Sequence, residues 1–509
     1  NPLVSPIFGD LEGLPPSLLL AGGDELLLSD TQMLGARLRE AGCSCEVRVE
    51  EGLWHVYVLY GIPEAREALD IITDFLETHM TTKAKTHKRW MKLDNAAKIY
   101  PAAKRRRWKA LFRLSATLTE EIDPAVLEDA QHATLARFPG FATKLKQGVF
   151  WYYMEHNEGG PPVGPDGPYP CPPMDFRENN GFMFRVRYHD RRIAVEIFHA
   201  LTDGSGGLCF LKTLIAEYLR IRYGAQIPRD SEILDCTVPP SSDETEDAYL
   251  KYARDIGRSR REPDAYYLKG TKESDGYIHI ITGMIPVDAL LSRAKEKNVS
   301  LTEYLTAVLI MAVDTIQRRR VWHQKLYKPV KVCVPINLRR FYPTNTMRNF
   351  ASYVNPGIDP RYGQYDFDET LNAVHHYMRA EVTEKLLNAK ITTNVRTEKH
   401  AALRLTPLFL KNIAMKLTFA RVGDRKSSTS ISNLGLTRLP AEMARYVRRM
   451  DFILGPLSRN KVVCGALTYG GVLYLNFTRT IKESMLEREF FRYLVKLGIP
   501  VKVESNDRW

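Results

Sequence analysis

Phe182–Leu219 reads FMFRVRYHDRRIAVEIFHALTDGSGGLCFLKTLIAEYL, and the organisation of most of the chain follows from it. Phe182–Tyr188 and Arg192–Phe198 are runs with alternating apolar positions, separated by the turn residues His189, Asp190 and Arg191, which predicts a β-hairpin. Ile193, Val195 and Ile197 share one face of the second strand. His199 has the same parity, so it is expected to point inward. Leu208, Leu211, Leu214, Ile215, Tyr218 and Leu219 then recur at helical spacing, up to a glycine at 224 suited to close a helix. His199, Asp203 and Gly204 therefore lie in a strand-to-helix turn, where glycine lets backbone and ligand approach closely.

Chance does not account for the pattern. With 12 histidines, and Asp and Gly at ~5% and ~6% of positions, about 0.04 copies of HxxxDG are expected, and one is present. The residue types suit acyl transfer from a thioester to a hydroxyl. That reaction needs a base with a pKa of about 7 to take the hydroxyl proton as attack begins, and imidazole is the side chain suited to it. Direct attack on the thioester leaves no covalent enzyme intermediate, so no activated Ser or Cys is required. Asp203, four residues on, is expected to hold the turn through an arginine partner rather than to touch substrate.

HxxxDG in this setting resembles the catalytic motif of the chloramphenicol-acetyltransferase-like superfamily, which includes alcohol acyltransferases, wax-ester synthases, plant HxxxD acyltransferases and peptide-synthetase condensation domains. The resemblance spans about residues 88–505, and Trp90–Ala96 (WMKLDNA) looks like the opening of the bacterial alcohol-acetyltransferase branch. It implies an α/β (α+β) fold of two similar lobes with the active site in a tunnel between them. It also implies acyl-CoA (acetyl-CoA) as co-substrate with no bound cofactor or metal, an alcohol as acceptor, and His199 as base.

Two further stretches match that family. Pro335–Arg340 (PINLRR), with Asn349 downstream, resembles its P-x-N-x-R strand end. This makes Asn337 and Arg339 tunnel candidates, and Arg339 or Arg340 the expected partner of Asp203. Ser430–Gly435 (SISNLG) resembles the S-N-x-G strand facing the histidine, where Ser432 or Asn433 would stabilise a developing oxyanion. The DFGWG motif of the plant members is absent. Phe198 also stands where condensation domains carry the first histidine of HHxxxDG, which disfavours a carrier-protein substrate and leaves it as the second reading.

The rest of the large piece follows the same plan. Leu111–Leu118 reads as a strand and Pro124–Phe138 as a helix, and Pro161–Pro173 is a Pro/Gly-rich loop. The crossover between lobes is expected at about 229–265. The second lobe restarts with a strand (Tyr277–Gly283) and a helix from Pro286. Ser300-Leu301-Thr302-Glu303 has the form of a capping box opening a helix to Ile316, and a strand follows at Val330–Pro335. The expected segments are thus 80–228, 229–265 and 266–509.

Residues 1–79 are a different body. They hold 4 Lys+Arg against 14 Asp+Glu, leaving 68 against 46 for the remainder. Ser17–Ala21 and Glu46–Glu50 alternate with helical patterns over Asp30–Ala41 and Glu64–Glu77, the order of a parallel α/β sheet. The stretch SPIFGDLEGLPPSLLLAGGDELLLSD followed by EGLWHVY resembles the C-terminal part of α/β-hydrolases of the hormone-sensitive-lipase or acetyl-esterase type. That resemblance implies Asp24 and His55 at the acid and histidine positions of a catalytic triad. Neither a GxSxG elbow nor an HGGG loop occurs in the chain. This segment is therefore expected to be a remnant, a truncation or a fusion without its own activity, and an esterase completed by missing sequence is a third reading.

Composition bounds the alternatives. Seven scattered cysteines without a CxxC pair suggest neither a disulfide framework nor a zinc site. The longest apolar stretches, such as Tyr304–Val313, fall short of the ~18–20 residues a spanning helix needs. The basic run Lys83–Arg113, with Lys104–Arg107 at its centre, comes without a nucleic-acid-binding signature and reads as a solvated face. A cytoplasmic monomer without nucleic-acid partners is expected.

Overall fold

The computed structural model describes residues 6–79, 90–103, 110–168, 170–254, 263–273, 277–399, 406–408, 410–412, 425–455 and 460–506. Met80 and the run Lys104–Arg107 lie outside them. The chain divides into two compact units, Asn1–His87 and Lys88–Trp509, eight residues beyond the boundary expected from composition.

In the first unit, strands Ser17–Gly22 and Cys45–Glu50 pair in parallel, Ser17 opposite Cys45. The helix Leu28–Glu40 connects them and Pro63–His79 follows, so the expected order holds with shifted ends. Gly35 sits where the connecting helix meets the second strand: a Cβ there would lie 2.4 Å from Val47 Cγ2. The buried cluster is small, built on Leu11, Leu38 and Cys43. Phe8, Leu26 and Leu59 are exposed. A two-stranded sheet offers too little surface to cover such side chains.

The second unit is built on three sheets. One has the strand order Val447–Leu454, Leu111–Leu118, Arg192–Phe198, Phe184–His189, Gly164–Pro165. The hairpin turn closes at His189 opposite Arg192, with Asp190 in the left-handed region (φ 48°). Helices Pro124–Arg137 and Gly204–Tyr223 pack on each other. Asp123 caps the first, and Gly224 (φ 65°) ends the second as its sequence position implied.

The larger sheet runs Ala351–Val354, Val330–Asn337, Thr429–Leu436, Val462–Tyr469, Val472–Arg479, His279–Pro286, Lys502–Ser505, with Gly357–Ile358 beside Val330–Asn337. Helix Leu301–Arg320 carries the expected capping box between Ser300 and Glu303 and runs four residues past Ile316. It packs against helices Phe367–Glu381 and Met485–Lys496. A third sheet of Trp90–Lys92, Tyr152–His156 and Thr143–Gln147 completes the unit.

One expectation is corrected. The lobes do not separate at residue 266, because Val447–Leu454, far along the second, pairs antiparallel with Leu111–Leu118 in the first lobe's sheet. Its other side is tied to the larger sheet: Asn476 Nδ2 donates to Phe452 O at 3.3 Å, and the missing side chain of Gly465 admits Phe452 O. Burial of Met450 and Phe452 contributes about 1.5–3 kcal/mol each to this join. A further feature of the hairpin is that Ile193–Phe198 is buried on both faces. The Pro/Gly-rich loop covers the second face. There Glu196 accepts from Arg113 (3.1 Å), Arg185 (2.7 Å) and Cys171 N (2.6 Å), and Arg113 also pairs with Asp166. A carboxylate on a buried strand is stable only with such partners.

Among the described residues no single helix is long and apolar enough to cross a membrane, no disulfide joins the cysteines, and no three His, Cys, Asp or Glu side chains are grouped to hold a metal.

Candidate active site

His199 is placed by backbone bonds on both sides. Phe198 N donates to Met183 O, His199 N to Ala110 O and Leu201 N to Phe198 O, so the strand turns sharply into the helix. Thr202 Oγ1 donates to Met347 O at 2.5 Å. Gly206 is required here: a Cβ would lie 2.2 Å from Thr202 Oγ1 and 2.4 Å from Met347 O. Gly204 leaves room for Leu434, whose Cδ2 would stand 2.8 Å from an added Cβ. The SNxG strand therefore does come against the histidine turn.

Both oxygens of Asp203 are committed. Oδ1 caps the helix, accepting from Ser205 N and Gly206 N at 3.1 Å each. Oδ2 accepts from Arg339 Nη1 at 2.7 Å and Phe350 N at 2.9 Å. Burial pushes this carboxyl up, but Arg339 and the backbone donors more than offset it and hold the pKa below the usual range. Of the two arginines considered, the partner is Arg339, and its remaining donors go to Thr346 O and Arg348 O. It is thereby a clamp on the turn rather than an oxyanion donor. Asn337 reinforces the clamp, donating to Ser205 Oγ at 3.1 Å and accepting from Arg339 N.

The imidazole of His199 has a different partner. Nδ1 lies 3.0 Å from Asn349 Oδ1. Tyr100 stacks on the ring at 4.7 Å between centroids, and Phe112 meets it edge-on at 5.2 Å. Burial holds the pKa of His199 below the usual histidine value, against opposing contributions from its own backbone carbonyl, the charge of Asp203 and the Asn349 bond. If the ring carries its proton on Nδ1, Nε2 is the basic nitrogen.

The SNxG candidates divide. Asn433 faces away from the histidine, donating to Thr302 Oγ1 at 3.1 Å and accepting from Gly435 N. Ser432 has the parity of Leu434, the side chain that reaches Gly204. Among the described residues its hydroxyl is in no hydrogen bond.

Residues not singled out as site residues are Tyr100 and Phe112, which line the ring, and Asp94, which lies behind Asn349. Tyr100 had no motif to announce it. Asp94 had a weak signal, since Asp followed by Asn and small residues favours a turn, and its Oδ1 does accept from Ala97 N at 2.7 Å.

In the first unit, His55 Nδ1 lies 2.8 Å from Glu25 Oε2 rather than against Asp24. Asp24 N donates to Leu53 O, and its side chain makes no bond to His55 among the described residues. The His55 side chain is 60% exposed. Among the described residues it faces no serine arranged as a nucleophile.

Comparisons with known proteins agree with this division. Residues 257–470 match the family model "Alcohol acetyltransferase", and residues 1–59 match an α/β-hydrolase model. The first match takes in Asn337, Arg339, Asn349, Ser432 and Asn433 but stops short of His199. Among curated proteins, an esterase of Acinetobacter venetianus is 35% identical over 77 residues, 15% of this chain and 25% of the esterase. An acetyl-hydrolase of Streptomyces hygroscopicus is 36% identical over 80 residues, 15% and 27% of the two chains. The chain thus spans about a quarter of the length of the curated relatives it matches.

Among solved structures, TRI101 of F. sporotrichioides complexed with coenzyme A and T-2 superposes with a TM-score of 0.56 at 10% identity, covering 82% of this chain and all of that one. Polyketide synthase associated protein 5 of Mycobacterium tuberculosis gives 0.53 at 17% identity, covering 80% and 97%. The fold of the larger unit is that of the two-lobed chloramphenicol-acetyltransferase-like proteins, and the smaller unit resembles the end of an α/β-hydrolase.

Proposed function

We propose that the larger unit is an O-acyltransferase that moves an acyl group from coenzyme A to an alcohol, with His199 as general base. The observation that carries this reading is the setting of the imidazole: it stands between Tyr100 and Phe112, with Nδ1 3.0 Å from Asn349 Oδ1 and its pKa held below the usual value by burial, which favours a neutral base. A hydroxyl approaching a thioester would give its proton to Nε2 as its oxygen attacks the carbonyl carbon. The C–S bond then breaks, and the departing thiolate recovers the proton from the imidazolium. The site supports this in two further ways. The alcohol acetyltransferase model matches the strand whose Leu434 meets the histidine turn, and Ser432 on that strand is the candidate hydroxyl for the developing charge on the carbonyl oxygen. Asp203 acts through the turn, since neither oxygen is left for substrate.

The test is release of free coenzyme A from acetyl-CoA with a panel of primary, secondary and aromatic alcohols, with ester formation followed by mass. A parallel arm uses acyl thioesters of N-acetylcysteamine, which mimic a carrier-bound donor. Alcohol-dependent release from acetyl-CoA supports the reading. Turnover of the carrier mimic alone would move it to the condensation class. Hydrolysis without ester formation would move it to the esterase class.

A further inference from the structure

A fully buried carboxylate stands one residue removed from the catalytic ring. Asp94 is 0% exposed, and Oδ2 lies 3.3 Å from Asn349 Nδ2, the amide whose other end meets His199. The groups nearest Asp94 on its remaining sides include the donors Ala97 N at 2.7 Å to Oδ1 and Arg348 Nε at 3.6 Å, with Lys98, Tyr100 and Tyr249 also near; burial pushes its pKa up, while Arg348, the Ala97 and Asn349 bonds and Lys98 favour the ionised form. Arg348 is itself held, by Lys92 O at 2.5 Å and Thr245 O at 3.2 Å. A buried carboxylate is expensive unless it is so surrounded, and Asn349 donates to it on the side of the histidine.

The orientation of an Asn amide is decided by its hydrogen-bond partners. Facing obligate donors, Asp94 is an acceptor at both oxygens, so Asn349 must turn its NH2 toward Asp94 and its carbonyl oxygen toward His199. A carbonyl oxygen only accepts, so His199 must carry its proton on Nδ1. We propose that Asp94 and Asn349 are positioning residues that set the tautomer of His199, with Asp94 fixing the direction of the Asn349 amide and the amide fixing Nε2 as the basic nitrogen. The ring's own carbonyl works in the same sense. Stacking by Tyr100 holds the ring plane while the chain sets its proton. This differs from a histidine paired directly with a carboxylate: the negative charge is kept one amide away, so it orients the base without pairing with it as it becomes imidazolium.

The inference rests on His199 being the base, so its test has a readout independent of turnover. The variants are Asp94→Asn, Asn349→Asp and the double exchange D94N/N349D. Asp94→Asn leaves an amide that can face Asn349 either way. Asn349→Asp sets two carboxylates against each other. The double exchange restores the alternation, because the amide introduced at position 94 would donate to the carboxylate introduced at position 349, and that carboxylate in turn accept from His199 Nδ1–H. Long-range 1H–15N correlation of the ring nitrogens, assigned by loss of signal in His199→Gln, reads the tautomer in the full-length protein. The expected result is Nδ1–H in the wild type, a shift toward Nε2–H in Asp94→Asn, and return to Nδ1–H in the double exchange.

In activity, kcat for each single variant should fall about 10–100-fold at nearly unchanged KM for acyl-CoA, with recovery in the double exchange. Circular dichroism melts confirm that the variants are folded; should Asp94→Asn not fold, the Asn349→Asp and double-exchange pair carries the test. An Nε2–H wild type, or a double exchange no better than either single variant, would overturn the proposal. Absence of wild-type turnover with an Nδ1–H ring would count against the acyl-transfer reading and not against this one.

Discussion

The chain holds two histidines on motifs associated with acyl chemistry, and their surroundings differ in every respect that matters to a base. His55 stands on the surface against Glu25. His199 stands between two aromatic rings, with its Nδ1 on an amide and its pKa lowered by burial. A motif supplies the residue, whereas packing supplies its chemical state. The larger unit surrounds its histidine with a full set of strands and helices; the smaller one, with two strands, leaves its own in water.

The largest effect expected from this contrast is in turnover. His199→Ala should reduce alcohol-dependent coenzyme A release by about 10³-fold or more, the range seen when a proton-transferring residue and its positioning are both lost. Next comes the clamp beneath it. Arg339→Ala leaves Asp203 buried without its counter-charge and should cost about 3–5 kcal/mol of unfolding free energy in urea titration. Retention of full stability in that variant would show that Phe350 N and the helix cap suffice.

Smaller effects separate the two regions by how rigid the neighbour is. Gly206→Ala drives a methyl into the backbone carbonyl of Met347 and should cost about 1–3 kcal/mol. Gly35→Ala meets side-chain methyls of Val47 and Leu19 rather than backbone, and the helix it sits in gains up to ~1 kcal/mol from losing a glycine, so its net change should be smaller. Equal losses at the two sites would contradict that distinction.

The effect of pH distinguishes the regions further. Because burial lowers the pKa of His199, the ring stays neutral below the ordinary ~6.5, and the acid limb of kcat/KM should fall below that value. The same depression makes unfolding easier as pH falls below ~6.5, since the unfolded chain takes up the proton first, and His199→Gln should flatten that part of the stability profile. The smallest effect is expected at the surface: His55→Ala should change stability by no more than about 0.5 kcal/mol.

Much of this was legible in the sequence because it was local. The inward parity of His199, the helix closed by Gly224 and the capping box at Ser300 each follow from residues within a few positions of one another. The two-stranded parallel unit was equally readable. What escaped was long-range. Return of Val447–Leu454 to the first lobe's sheet leaves no trace in its own alternation, and the burial of Glu196 depends on a distant loop and two arginines. The partner of Asp203 was narrowed to two neighbouring arginines, and only the fold chooses Arg339. Asn433 fitted a motif, yet its amide points to Thr302, because one step along a strand changes the face.

The most direct measurement is coenzyme A release from acetyl-CoA across the alcohol panel, run side by side on the intact chain, His199→Ala and His55→Ala. Activity is expected in the unsubstituted chain and in His55→Ala, and its loss in His199→Ala; activity that survives His199→Ala, or disappears with His55→Ala, would contradict the assignment of His199 as the base.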